Sequence, residues 1–109
     1  MQQFDELMFF AQVKARPGMF LGRKSLLSLR DQLFGMAYAF DVCGQHDALR
    51  YFHGYTQWYL DAKSDTQDGY ACWWNHLLYL SGNDDALAFD AFFHSFEEYL
   101  LAEHDTSLQ

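Results

Sequence analysis

Cations are what this chain lacks most conspicuously. From Ser64 to Gln109 there is no lysine or arginine, against nine carboxylates: Asp65, Asp68, Asp84, Asp85, Asp90, Glu97, Glu98, Glu103 and Asp105. Five of the seven basic residues (Lys14, Arg16, Arg23, Lys24 and Arg30) fall in the first thirty positions, and the net charge is −8. A field of that sign repels phosphate backbones and argues against a nucleic-acid ligand. No apolar run approaches the ~20 residues of a membrane span. The first residues, Met1 to Glu6, lack the basic stretch and apolar run of a secretory signal. Two cysteines, Cys43 and Cys72, make no disulfide framework and read as reduced thiols of a cytoplasmic protein. The single proline, Pro17, leaves long segments free to be helical. Low-complexity tracts and internal repeats are missing, and an apolar half with 19% aromatic residues rules out disorder.

The apolar residues recur at helical spacing, and the chain reads as an all-α, single compact bundle of about five helices spanning residues 1–109. Phe4, Leu7, Met8 and Ala11 mark a first helix that Arg16-Pro17-Gly18 ends. Ser25 is placed to cap a second, with the stripe Leu26, Leu29, Leu33, Met36, Phe40 running toward Cys43, and Gly44 is placed to close it. Gly35 inside that helix costs roughly 1 kcal/mol relative to alanine, which predicts a close helix contact. Asp47 is positioned to cap a third helix over 47–62, rich in Tyr51, Phe52, Tyr55, Trp58 and Tyr59. The run 63–69 reads as a loop, 70–81 as a Trp-rich helix, and Ser81 to Asp84 as a break that caps the last helix. There Leu87, Phe89, Phe92, Phe93, Phe96, Tyr99 and Leu100 are expected inward, with Asp90, His94, Glu97 and Glu98 outward and the tail after Glu103 frayed.

Catalytic chemistry finds no assembled pattern: no nucleophile elbow, phosphate loop, His-Glu-x-x-His or Cys-x-x-Cys. The reading is of a non-enzyme without cofactor. Asp90, His94 and Glu98, at i, i+4, i+8, share one helix face on which a divalent ion could sit. A solvated outer face explains them more economically, so no metal is assigned.

Only Ala15-Arg16-Pro17-Gly18-Met19-Phe20-Leu21-Gly22 looks specified residue by residue. It reads as a rigid connector, with a turn at Pro17-Gly18 and Met19, Phe20 and Leu21 directed into the core. With Ser25-Leu26, the segment Leu33 to Ala39, Trp73-Trp74 and the aromatic, acidic end from Ala88 to Tyr99, it resembles small bacterial immunity proteins of toxin systems, including contact-dependent growth inhibition. The resemblance implies a cytoplasmic protein that neutralises one cognate toxin, usually a nuclease, and brings no catalytic residues.

Charge points the same way, because a nuclease carries cations that grip phosphate and an acidic protein can cover them. The partner-binding residues expected on this reading are Asp61, Asp65, Asp68, Tyr70, Asp84, Asp85, Glu97 and Glu98, with Tyr55 and Trp58 as aromatic anchors. The connector is assigned to structure. The alternative is a non-enzymatic interaction or adaptor module, or a homodimer using the surplus aromatic residues.

Overall fold

The computed structural model describes residues 4–63 and 72–108. Six helices follow in order: α1 (Glu6–Ala15), α2 (Pro17–Leu21), α3 (Leu26–Val42), α4 (Arg50–Ala62), α5 (Trp73–Leu80) and α6 (Asp85–His104). The described residues contain no strand, and the architecture is an all-α bundle with one helix more than expected. The loop expected over 63–69 lies, after Lys63, outside the described residues.

The extra helix is α2. Pro17 occupies its first position, where a missing N–H costs nothing, and Arg16 leaves the helical region between α1 and α2 (φ −138°, ψ 63°). The segment is therefore a helical turn, where the sequence reading placed a Pro-Gly bend. Its apolar side chains also depart from expectation: Met19 is 70% exposed and Phe20 lies largely on the surface, while only Leu21 packs against the core. The residue with a special backbone is Gly22, left-handed at φ 77°, whose N–H bonds to the Gly18 carbonyl and closes the helix. A Cβ on Gly18 would meet open space. Gly22→Ala is thus expected to cost about 1 kcal/mol, and Gly18→Ala to be neutral or slightly stabilising. Urea unfolding of the two variants checks this; equal midpoints would remove the left-handed requirement at Gly22.

Local signals set α3 and α6. Ser25 Oγ accepts from the Ser28 N–H at 3.0 Å, and Asp84 Oδ1 accepts from Ala86 and Leu87 at 3.0 and 3.1 Å. Gly44 is left-handed after α3, and the Gln45 N–H reaches back to the Phe40 carbonyl at 2.8 Å. At its other end α6 continues to His104, after which Thr106 bonds to the Leu100 carbonyl and Leu108 packs on the core, so the tail folds back where fraying was expected.

Helix α6 is the hub, touching α3, α4 and α5. Its buried row of Phe89, Phe92, Phe93, Phe96, Tyr99 and Leu100 meets Phe10 of α1, Phe52, Tyr55 and Tyr59 of α4 and Trp73 of α5. Phe10 shows how dense this is: its ring lies 4.7 Å from Phe96 and 6.2 Å from Phe92, centroid to centroid. Three assignments change. The core face of α1 carries Phe10 and Val13, while Met8 points outward. Leu87 is 55% exposed. The close helix approach sits at Gly54, whose absent Cβ would overlap the Tyr99 hydroxyl; around Gly35 nothing among the described residues lies within 4 Å of such a Cβ.

Two helix starts are completed by acids from elsewhere in the chain. Asp47 does not cap α4. Its N-cap position is Leu49, which has no side-chain acceptor, and the carboxylate of Glu6 supplies what is missing. Glu6 Oε1 accepts from Tyr51 N–H at 2.9 Å and Oε2 from Phe52 N–H at 2.7 Å. Burial pushes this carboxyl up to about 7, against the opposing effect of those two hydrogen bonds and of the nearby Arg50. In the same manner Asp85 accepts from the Ser25 hydroxyl and, at 3.0 Å, from the Leu27 N–H at the start of α3.

Candidate functional site

Of the residues expected to meet a partner, Asp65, Asp68 and Tyr70 lie outside the described residues. The fold brings Trp58 of α4 and Glu98 of α6 together through Lys63, with Asp61 three residues after Trp58 on α4. The Lys63 Nζ lies 2.8 Å from Glu98 Oε2 and 6.0 Å from the centre of the Trp58 ring. Trp58 is half-buried, its ring 5.5 Å from that of Tyr99, and Asp61 is exposed one turn further along α4. A half-buried tryptophan beside exposed carboxylates is the arrangement a cationic protein surface can use, with the ring for desolvated contact and the acids for orientation.

The other expected residues are engaged within the chain. Tyr55 is fully buried, and its hydroxyl shares a hydrogen bond with Ser95 Oγ at 2.8 Å. It therefore cannot serve as a surface anchor while the fold is closed, and burial raises the pKa of its phenol. Asp84 is exposed but holds the first amides of α6, and Asp85 bridges the starts of α3 and α6. Glu97 pairs with Lys14 at 2.7 Å.

That last pair belongs to a pattern that corrects the charge reading. Lys14 meets Glu97, Lys24 meets Asp90 at 2.6 Å and Lys63 meets Glu98. Two lysines of the first third thus lie along the acidic last helix. The end of α1 and the entry to α3 pack beside α6, so charges 66 and 83 residues apart become neighbours. Exposed pairs of this kind contribute only about 0–1 kcal/mol each, yet they neutralise the local field. The same pairing engages the ends of the Asp90, His94, Glu98 row. Among the described residues no group of three or more His, Cys, Asp or Glu side chains is placed to hold a metal ion.

A second surface escaped the sequence reading. An open groove of about 710 Å³ runs between α1, α2 and the C-terminal tail, floored by Leu7, Met8, Ala11, Met19 and Phe20, with Asp5 and Arg16 on its walls. The residue-by-residue specified segment, assigned to structure, contributes Arg16, Met19 and Phe20 to this groove. The available signal was the placement of Met8 and Met19, flexible and polarizable side chains suited to adaptable contact surfaces.

The chain matches no protein-family model, no curated protein and no solved structure.

Two buried polar contacts complete the inventory. The Tyr59 hydroxyl, pushed up to about 12 by burial, stays protonated and shares a hydrogen bond of 2.6 Å with His76 Nδ1. With Glu6 on the amides of α4, these groups are satisfied and internal. They stabilise the fold.

Proposed function

We propose that this chain is an immunity protein that binds a cognate toxin of basic surface, a nuclease domain by charge, and neutralises it by covering it. The observation that carries the reading is the surface of Trp58, Asp61 and Glu98, which joins a large aromatic side chain to exposed carboxylates on a protein of net charge −8. The resemblance of Arg16 to Gly22 and the later segments to immunity proteins supports it. The pairing of Glu97 with Lys14 and of Asp90 with Lys24 favours this end of the acidic half over the rest of α6. Glu98 can exchange Lys63 for a cation of the partner at little cost, because an exposed ion pair holds it weakly.

The experiment uses the product of a neighbouring toxin gene, purified as an inactive variant. Asp61→Lys together with Glu98→Lys is expected to lower the association rate roughly tenfold or more at low salt and to flatten its salt dependence, with helical content unchanged. Trp58→Ala is expected to act on dissociation instead, and to raise Kd roughly tenfold or more. Binding kinetics that are the same in all three proteins would show that this surface is not the interface.

A further inference from the structure

A third surface remains, and its chemistry differs from the other two. The outward face of α3 carries Phe34, Gly35, Tyr38, Ala39 and Val42, spaced so that all five point away from the core. Tyr38 is 74% exposed, Val42 68% and Phe34 47%. No charged residue occurs from 32 to 40. We propose that this face is a contact with a second copy of the chain, the two α3 helices packing antiparallel about a two-fold axis near Gly35.

Three observations select a second copy in that orientation. The first is charge. Two molecules of net charge −8 repel, and the centre of α3, from 32 to 40, is an uncharged surface on which they can approach, the exposed Asp31 at its N-terminal edge being paired with Arg30. The second is the arrangement of its ends. Arg30 and Asp41 are eleven residues, or about three turns, apart, and therefore lie on one side of the helix. Antiparallel packing sets Arg30 of one copy near Asp41 of the other at both ends, whereas parallel packing would set like charges together. Each group has capacity for this. Arg30 bonds Asp31 Oδ1 through Nε and one terminal nitrogen while lying 5.2 Å over the Trp74 ring, and Asp41 meets the exposed His46 through one oxygen. The third is Gly35. A glycine in the middle of a helix costs roughly 1 kcal/mol, and among the described residues nothing comes within 4 Å of a Cβ placed there. A second helix backbone would give it the close contact it lacks, with Tyr38 and Phe34 closing over the side.

One helix face is smaller than the ~800 Å² per partner of a standard interface, so the dimer is a weak, concentration-dependent one. It uses neither Trp58, Asp61 nor Glu98, and it stands or falls independently of the toxin reading.

Sedimentation velocity of the whole chain, in reductant because Cys43 is exposed, tests the proposal over a hundredfold range of concentration. The expected result is a reversible shift from monomer to dimer. Tyr38→Glu and Val42→Glu, both at exposed positions, are each expected to weaken it roughly tenfold or more. Arg30→Asp and Asp41→Arg should each weaken it, and the double variant R30D/D41R should restore it. A wild-type chain that stays monomeric throughout overturns the proposal. So does a dimer indifferent to both glutamate substitutions, which would place the contact elsewhere. Loss on charge reversal without rescue in the double variant overturns the antiparallel arrangement.

Discussion

Replacing Gly54 by alanine is expected to destabilise the protein by about 2 kcal/mol, although alanine is the better helix former by about 1 kcal/mol. The added Cβ would lie 2.1 Å from the Tyr99 hydroxyl oxygen and 3.2 Å from the ring carbon that bears it. A flexible side chain would swing aside, but Tyr99 cannot do so cheaply. Its ring is buried beside Trp58 and Tyr55, at 5.5 and 6.0 Å, and its hydroxyl is bonded to His104 Nε2 at 2.8 Å. Relief therefore requires α4 to move away from α6. The measurement is a double-mutant cycle in denaturant unfolding. Tyr99→Phe removes the offending oxygen and leaves only a 3.2 Å contact, so Gly54→Ala should cost at least ~1 kcal/mol less in that background. An equal cost in both backgrounds would show that the hydroxyl is not the obstacle.

Glu6→Ala is expected to cost about 2–4 kcal/mol, because it leaves the Tyr51 and Phe52 amides at the start of α4 without an acceptor. A pH dependence separates this cap from ordinary packing. The folded carboxyl titrates near 7 against 4.5 for a free glutamate. Between those values the native state holds a proton that the unfolded state has released. The stabilisation Glu6 contributes is fully present below about 4.5 and is lost as the pH rises through about 7. Around it stand Arg50 and Tyr51 from α4 and Tyr99 from α6, with the His104 ring packed 4.9 Å from Tyr51 and Glu103 acting on Tyr99. The difference between wild type and Glu6→Gln isolates the group. Glutamine keeps one acceptor and no charge, so it should remain within about 1 kcal/mol of wild type at low pH. It should also lack a slope that approaches the ~1.4 kcal/mol per pH unit one proton provides. Parallel stability curves for the two proteins from pH 4.5 to 7 would exclude a titrating cap.

What could be read from the residues was what is local. Ser25, Gly44 and Asp84 act on amides and carbonyls a few positions away, and their roles follow from spacing alone. The aromatic row of α6 was legible because one stripe of a long helix can only face the core. Met19, Phe20 and Leu87 were misplaced because apolar character does not say whether a neighbouring element reaches far enough to cover a residue. The least legible features were the long-range ones. Glu6 looked like one more acid in a first helical turn, and Asp85 like one more surface charge. The lysines that quieten α6 come from the other end of the chain. For the candidate site, Trp58, Asp61 and Glu98 were nameable, but their company with Lys63 was not.

The borrowed caps have a consequence for how the molecule comes apart. α4 obtains its N-terminal acceptor from α1, and α3 shares its own with α6, across 46 and 58 residues. Neither helix start is complete until its distant donor of charge has docked, so neither can persist as an isolated segment or detach while the rest stays intact. The beginnings of these helices, which in most proteins fray first, are here among the positions that open only when the whole molecule does.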